Sequence, residues 1–169
     1  ELLLDTYASL LKNEKIREHD LKSLLQSNVD LADVRFTLHD IVLSCPILVD
    51  DEPNYYINIP RNLMVSAINN IIDNSIFWLD QRWGPDEKSK YIYVGISEEF
   101  EKGPAIVIAD NGPGWRHIDK QDMVKPFRTT KPGGMGIGLY YTQTVMEMIG
   151  GELLLLDQGE IEGIPKAAD

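Results

Sequence analysis

Basic residues are scarce in this sequence. Lysine and arginine total 16 against 27 aspartates and glutamates in 169 residues, a net charge of −11. A chain this acidic repels phosphate backbones, so general nucleic-acid binding is disfavoured. Cysteine is scarcer still: Cys45 stands alone, which excludes an internal disulfide. Its setting in the apolar stretch LSCPILV reads as a small buried hydrophobe, and a reducing compartment is consistent with it. No run of about 18 apolar residues occurs, so no segment reads as a membrane span. A secretory leader pattern is also absent. A cytoplasmic location is expected, with a membrane anchor elsewhere in the parent left open. Gly-Lys never occurs as a dipeptide, which excludes a P-loop. Repeats and low-complexity tracts are missing too. The chain begins at Glu1 and reads as a piece of a longer protein.

What is present fits one domain with a small appendage: 43% hydrophobic and 25% charged residues are enough for a core. Leu3, Leu4, Tyr7, Leu10, Leu11, Leu21, Leu24 and Leu25 recur at helical spacing and predict one helix over residues 1–27. It packs either on its own chain or on a partner's copy, as the end of a dimerisation segment. Asn28–Asp33 reads as a polar break, Val34–Leu38 as a strand, His39–Val49 as a helix and Tyr55–Ile59 as a strand. Pro60 opens a long helix from Arg61 to about Gln81, with Leu63, Ile68, Ile71, Ile72, Ile76 and Leu79 on its apolar side. Tyr91–Ser97 and Ala105–Ala109 read as a hairpin. Residues 111–134 read as a long loop, of the length usual for lids and binding loops. Ile137–Ile149 reads as a helix and Glu152–Leu156 as a last strand. This order implies a two-layer α/β sandwich, a mixed sheet covered on one face by helices. The domain division expected is 1–30 and 31–169.

Four segments carry candidate chemistry. In IVIADNGPGW a hydrophobic strand ends in Asp110 and runs into Gly112 and Gly114. A carboxylate there can accept from an exocyclic amine, and glycines let the backbone approach a flat ligand; a plain turn would look the same. In KPGGMGIGLYY, Gly133, Gly134, Gly136 and Gly138 feed a helix whose N-terminal amides and dipole favour an anion, or act as a hinge. In AINNIIDNSIFWL, Asn70 and Asn74 share a helix face. Together with Asp73 they need partners, which Mg²⁺ and phosphate oxygens, or solvent, would supply. In VKPFRTTK, Phe127 is expected to anchor the loop to the core while Arg128 and Lys131 reach phosphates and Thr129 and Thr130 offer hydroxyls. From Arg116 to Lys131 the cations Arg116, Lys120, Lys125, Arg128 and Lys131 outnumber Asp119 and Asp122. This is a site for a small polyanion or a solvated loop.

In this order the four segments resemble the gyrase, heat-shock-chaperone, histidine-kinase and mismatch-repair superfamily of ATP-binding domains, with its Bergerat-type fold. An N box lies at Asn70–Asn74, a first glycine box at Asp110–Gly114, an F box at Phe127 and a second glycine box at Gly134–Gly138. The resemblance implies that Asp110 holds the adenine amine and that Gly112 and Gly114 shape the base pocket. Asn74 coordinates Mg²⁺ with Asn70 beside it. Gly134, Gly136 and Gly138 wrap the phosphates, and Lys131 meets the terminal one. It assigns Phe127, Thr130 and Leu139 to the nucleotide site as well. Hydrolases of this superfamily usually carry a glutamate where this chain has Asn70, and an amide cannot act as a general base. The pattern is therefore most like a sensor histidine kinase catalytic domain, with ATP and Mg²⁺ as cofactors. The acceptor histidine would lie on a separate domain, a response regulator would be the partner, and a homodimer would form through the N-terminal helix. His19, His39 and His117 read as structural or surface histidines. The alternative is an ATPase switch of the gyrase or chaperone kind.

Overall fold

The computed structural model describes residues 15–49, 54–84, 89–100, 103–115, 119–157 and 159–168. Strand β1 (Arg17–Asp20) leads into helix α1 (Leu21–Leu38), followed by β2 (Val42–Ser44), a single 3₁₀ turn (Pro46–Leu48) and β3 (Tyr56–Ile59). The long helix α2 (Arg61–Trp83) comes next, then β4 (Tyr91–Ser97), β5 (Ala105–Asp110), the short α3 (Lys120–Met123) and α4 (Gly138–Met148). β2 pairs in parallel with β4, and β4 antiparallel with β5; β1 and β3 form a separate antiparallel ladder. The architecture is the expected α/β sandwich, with a mixed sheet packed against helices.

The N-terminal third departs from expectation. Of the helix predicted over 1–27, residues 1–14 lie outside the described residues, and Arg17–Asp20 is a strand paired with Tyr56–Ile59. Asp20 marks the switch: its carboxylate accepts from the N–H groups of Lys22 (3.1 Å) and Ser23 (3.4 Å), which starts a helix there. The predicted polar break at Asn28–Asp33 and strand at Val34–Leu38 are both part of α1. Asn28 does not break the helix because its side-chain amide donates back to the Leu24 carbonyl at 2.9 Å. The buried positions Leu21, Leu24, Leu25, Asn28, Ala32 and Phe36 keep helical spacing through it. α1 runs through residue 30 without interruption. The helix predicted over His39–Val49 is instead a strand and a 3₁₀ turn. His39 caps α1, Asp40 takes a positive φ of 52°, and Val42–Ser44 joins the sheet beside Tyr91–Tyr93. Glu152–Leu156, predicted as a last strand, joins no ladder among the described residues.

The remainder follows the pattern. α2 starts after Pro60 and ends at Gly84, whose φ of 77° suits a glycine stop. Leu63, Met64, Ala67, Ile68, Ile72, Ile76 and Leu79 of α2 join α1 residues, Ile92, Val94 and Val145 in one core. Each of the leucine, isoleucine, valine and methionine side chains contributes about 1.5–3 kcal/mol on burial. Cys45 packs against this core, and burial pushes its thiol up to about 11. On the other sheet face Ile161 and Ile164 of the tail line a cavity with Tyr93 and Val107. One register detail positions the site. Ile92 stands opposite Asp110, and opposed residues of an antiparallel pair share a face. Ile92 is fully buried, so Asp110 also points into the helix layer.

Candidate functional site

Asp110 meets α2 where it points. Its Oδ2 accepts from Ser75 Oγ at 2.7 Å and its Oδ1 from the Gly112 N–H at 2.9 Å. Burial raises the carboxyl pKa, while the two hydrogen bonds and the Arg82 charge pull it back. A Cβ on Gly112 would stand 2.5 Å from Asp110 Oδ1 and 3.7 Å from Trp78 Cβ. Only glycine leaves the carboxylate in that position. The following loop is latched to the end of α2. Arg82 donates to the carbonyls of Asn111, at 2.8 Å, and Gly112. The Trp83 indole also donates to Asn111 O, at 3.1 Å, and carries the Arg82 guanidinium 4.5 Å above its ring. Asn111 is engaged as well: its Oδ1 accepts from Tyr91 N–H at 2.9 Å and its Nδ2 donates to Ser89 O at 2.6 Å. Gly114 has φ 69° and open space beside it.

Immediately before Ser75 in α2 lies Asn74 and one turn earlier Asn70, both half-buried. The second glycine loop crosses this face. A Cβ on Gly138 would stand 3.6 Å from Asn70 Oδ1, so the start of α4 lies against that amide. No side chain caps the first turn of α4, which leaves its N–H groups for an incoming acceptor. Thr142, one turn on, ties the helices together, donating to Ala67 O at 3.3 Å or Gly138 O at 3.1 Å. Leu139 is buried.

The lid folds onto itself. Phe127 N–H donates to Gly136 O at 2.8 Å. Gly136 has φ 67°, and a Cβ there would stand 2.6 Å from Arg128 N, so the F box and the glycine box pack backbone to backbone. Gly134 N–H donates to Lys131 O at 2.9 Å, and Lys131 N–H to Thr129 Oγ1 at 3.0 Å. This turn carries the Lys131 ammonium to 4.3 Å over the ring of Phe77. Phe77 lies three residues beyond Asn74 and thus on its face. Asn70 and Gly138 therefore meet, Lys131 reaches the ring one turn beyond Asn74, and Asp110 and Gly112 pack against Ser75 and Trp78 of the same helix.

Three expectations are corrected. Phe127 does not anchor the loop in the core; it is 54% exposed with φ 63°, because the Gly136 carbonyl holds its backbone in place. Asp73 does not join the two asparagines; it pairs with Arg35 of α1. The basic window is committed at two of its cations: Lys120 pairs with Asp157 at 2.6 Å and Lys125 with Asp122, while Arg116 lies outside the described residues. Arg128 and Lys131 form no salt bridge among the described residues; Thr130 is exposed. Ser75, Phe77 and Arg82 enter the site from the structure alone, whereas Asn111 lies within the Asp110–Gly114 box. Arg82 carried a signal, a cation in the last turn of a helix before glycine. Of the histidines, His39 Nδ1 lies 2.5 Å from Asp80 Oδ2, a structural contact, and His19 sits in β1; His117 lies outside the described residues.

Residues 60–163 match the family described as histidine kinase-, DNA gyrase B- and HSP90-like ATPase. The chain is 36% identical over 93 residues to a probable C4-dicarboxylate sensor kinase of Halalkalibacterium halodurans, covering 53% of this chain and 16% of that protein. It is 25% identical over 157 residues to sporulation kinase E of Bacillus subtilis, covering 92% of this chain and 20% of that one. The chain thus spans about a fifth or less of the length of these relatives. Among solved structures, the nucleotide-free catalytic domain of histidine kinase ThkA superposes with a TM-score of 0.63 at 19% identity, over 80% of this chain and 82% of that chain. Histidine kinase AdeS of Acinetobacter baumannii superposes at 0.62 and 18% identity, over 91% and 68%.

Proposed function

This chain belongs to the histidine kinase-, DNA gyrase B- and HSP90-like ATPase family, and from that premise we propose that it is the ATP-binding catalytic domain of a sensor histidine kinase. In this reading it transfers the terminal phosphate of ATP to a histidine on a separate domain of the parent, which then serves a response regulator.

Asp110 receives the adenine amine: its oxygens each accept one internal hydrogen bond and keep lone pairs free. Gly112 and Gly114 border the base, Gly134, Gly136 and Gly138 wrap the phosphates, and the first-turn amides of α4, which no side chain caps, receive phosphate oxygens, with Arg128, Thr130 and Lys131 at the rim. The donor set suits Mg²⁺. Two amide oxygens, from Asn70 and Asn74, share one helix face, and no cluster of three His, Cys, Asp or Glu able to hold a metal exists among the described residues. A hard cation that keeps several waters and is shared with phosphates matches so sparse a set. When bound, Mg²⁺ supplies charge neutralisation at the phosphates. Asn70 orients but takes no proton from water, so transfer to an imidazole is favoured over hydrolysis. That makes the gyrase- or chaperone-type switch the weaker reading. A homodimer through the N-terminal segment and a cytoplasmic site of action belong to the same proposal. No helix among the described residues is long and apolar enough to cross a membrane.

The observation that carries this reading is the meeting of Gly138 with Asn70, two segments 68 residues apart (138 − 70) in the chain. Calorimetry with ATP, with and without Mg²⁺, tests it. Binding strengthened by Mg²⁺ is expected; absent or metal-independent binding would sink the proposal.

A further inference from the structure

Among the described residues, Phe77 is the one aromatic ring of α2 seen with a cation from the lid. Lys131 Nζ lies 4.3 Å from its centroid, inside the range of a cation–π contact. In a chain with 27 carboxylates, Lys131 nevertheless forms no salt bridge among the described residues. Its backbone is fixed on both sides, by Thr129 Oγ1 on its N–H and by Gly134 N–H on its carbonyl, so the side chain leaves the turn in a set direction. The ring is fixed too: Phe77 meets Trp78 edge to face, with centroids 5.0 Å apart at 83°. Trp78 in turn lies beside Gly112.

We infer that Phe77 is a positioning residue whose ring is a platform holding the Lys131 ammonium toward the Asn70–Asn74 face, where it reads the terminal phosphate of ATP. This inference rests on the proposal that the site binds ATP. A carboxylate partner would neutralise the ammonium and compete with phosphate. An aromatic face does neither. It occupies one side of the –NH₃⁺ group and leaves the opposite donors free. The contact is also weak enough, about 0.5–1 kcal/mol at an exposed site, to shift with the lid. Phe77 thus orients Lys131 without touching substrate.

The test compares MgATP with adenosine, which has the base and no phosphates, across a double-mutant cycle. Phe77→Leu should lower MgATP affinity about two- to fivefold and leave adenosine affinity unchanged. Phe77→Tyr and Phe77→Trp, which keep an aromatic face, should retain the wild-type ratio. In a Lys131→Met background, Phe77→Leu should have no further effect. An unchanged ratio in Phe77→Leu, equal loss of both ligands, or an effect that persists without Lys131 would each overturn the platform. A wild-type chain that fails to bind MgATP overturns the ATP reading together with the platform. A wild-type chain that binds, with an indifferent Leu variant, overturns the platform alone.

Discussion

At the Asp110 end of the site the polar groups are already partnered by the fold. Asp110 is held by Ser75 and Gly112, and Asn111 by Tyr91, Ser89, Arg82 and Trp83. At the Asn70 end they are not. The side chains of Asn70 and Asn74 find no hydrogen-bond partner among the described residues, the first turn of α4 has no side-chain cap, and Lys131 rests on a ring. The contrast is sharpest between neighbours. Asn69 donates to Asn28 Oδ1 at 2.8 Å and accepts from Arg35 at 3.0 Å, while Asn70, the next residue, faces the glycine loop. A flat, uncharged base of fixed shape rewards a pre-wired pocket. Phosphates and a hydrated ion need donors and acceptors still free to rearrange, and such groups can stay unpaired only where water reaches them.

If the wired end reads the base, Asp110→Asn should have the largest effect. It removes the charged acceptor but keeps the shape, and should weaken ATP and adenosine alike, by about two orders of magnitude at the upper end. Competition binding with both ligands checks it; loss confined to ATP would mean that this end does not read the base. The uncommitted end should answer differently. Asn74→Ala should cost about tenfold in MgATP affinity, abolish the benefit of Mg²⁺ and spare adenosine. Titration with Mg²⁺ at fixed ATP measures this, and a retained metal effect would remove Asn74 from the ion.

The two ends were not equally legible in the sequence. Most residues the sequence nominates for the phosphate end are asparagines, glycines or cations in short ordered motifs, and Gly138 does meet Asn70. The wiring of the base end was hidden. Ser75 and Arg82 are ordinary helix residues until the register Ile92–Asp110 turns the carboxylate onto them. No local pattern encodes which residue of one strand faces which of another. The N-terminal third was misread for a related reason. Asp20 and Asn28 bond to their own backbone, so one starts a helix and the other survives inside it, where composition alone suggested the reverse. Phe127 is apolar, which suggests an anchor in the core, but the restraint on that loop is a main-chain bond to Gly136.

Asn69 offers the control for this contrast. Asn69→Ala leaves Asn28 Oδ1 without its donor, and Asn28 is buried. The cost should fall on folding, about 1–3 kcal/mol, seen as a lower midpoint in urea with MgATP affinity intact. If instead affinity falls while stability holds, the division between adjacent asparagines is wrong, and the α1–α2 network belongs to the site.

The smallest effect separates stability from binding at Asp110 itself. Its carboxyl is raised above the ordinary 3.8, first by burial and against the pull of Ser75, Gly112 and Arg82. A raised carboxyl pKa means that the folded state prefers the protonated form, so the unfolded chain gives up its proton first as pH rises. Stability is then full below 3.8 and declines as pH climbs from 3.8 through the raised value, after which the penalty is constant. Asp110→Asn carries no charge to desolvate. Its amide oxygen can still accept from Gly112, and its –NH₂ can donate to Ser75 Oγ. The variant should therefore melt slightly higher than wild type at neutral pH, and the gap should close as pH falls toward 3.8. Paired melts across that range decide it. A gap that widens on acidification would mean that the two hydrogen bonds outweigh burial, and that the carboxylate is a structural asset instead of a cost borne for binding.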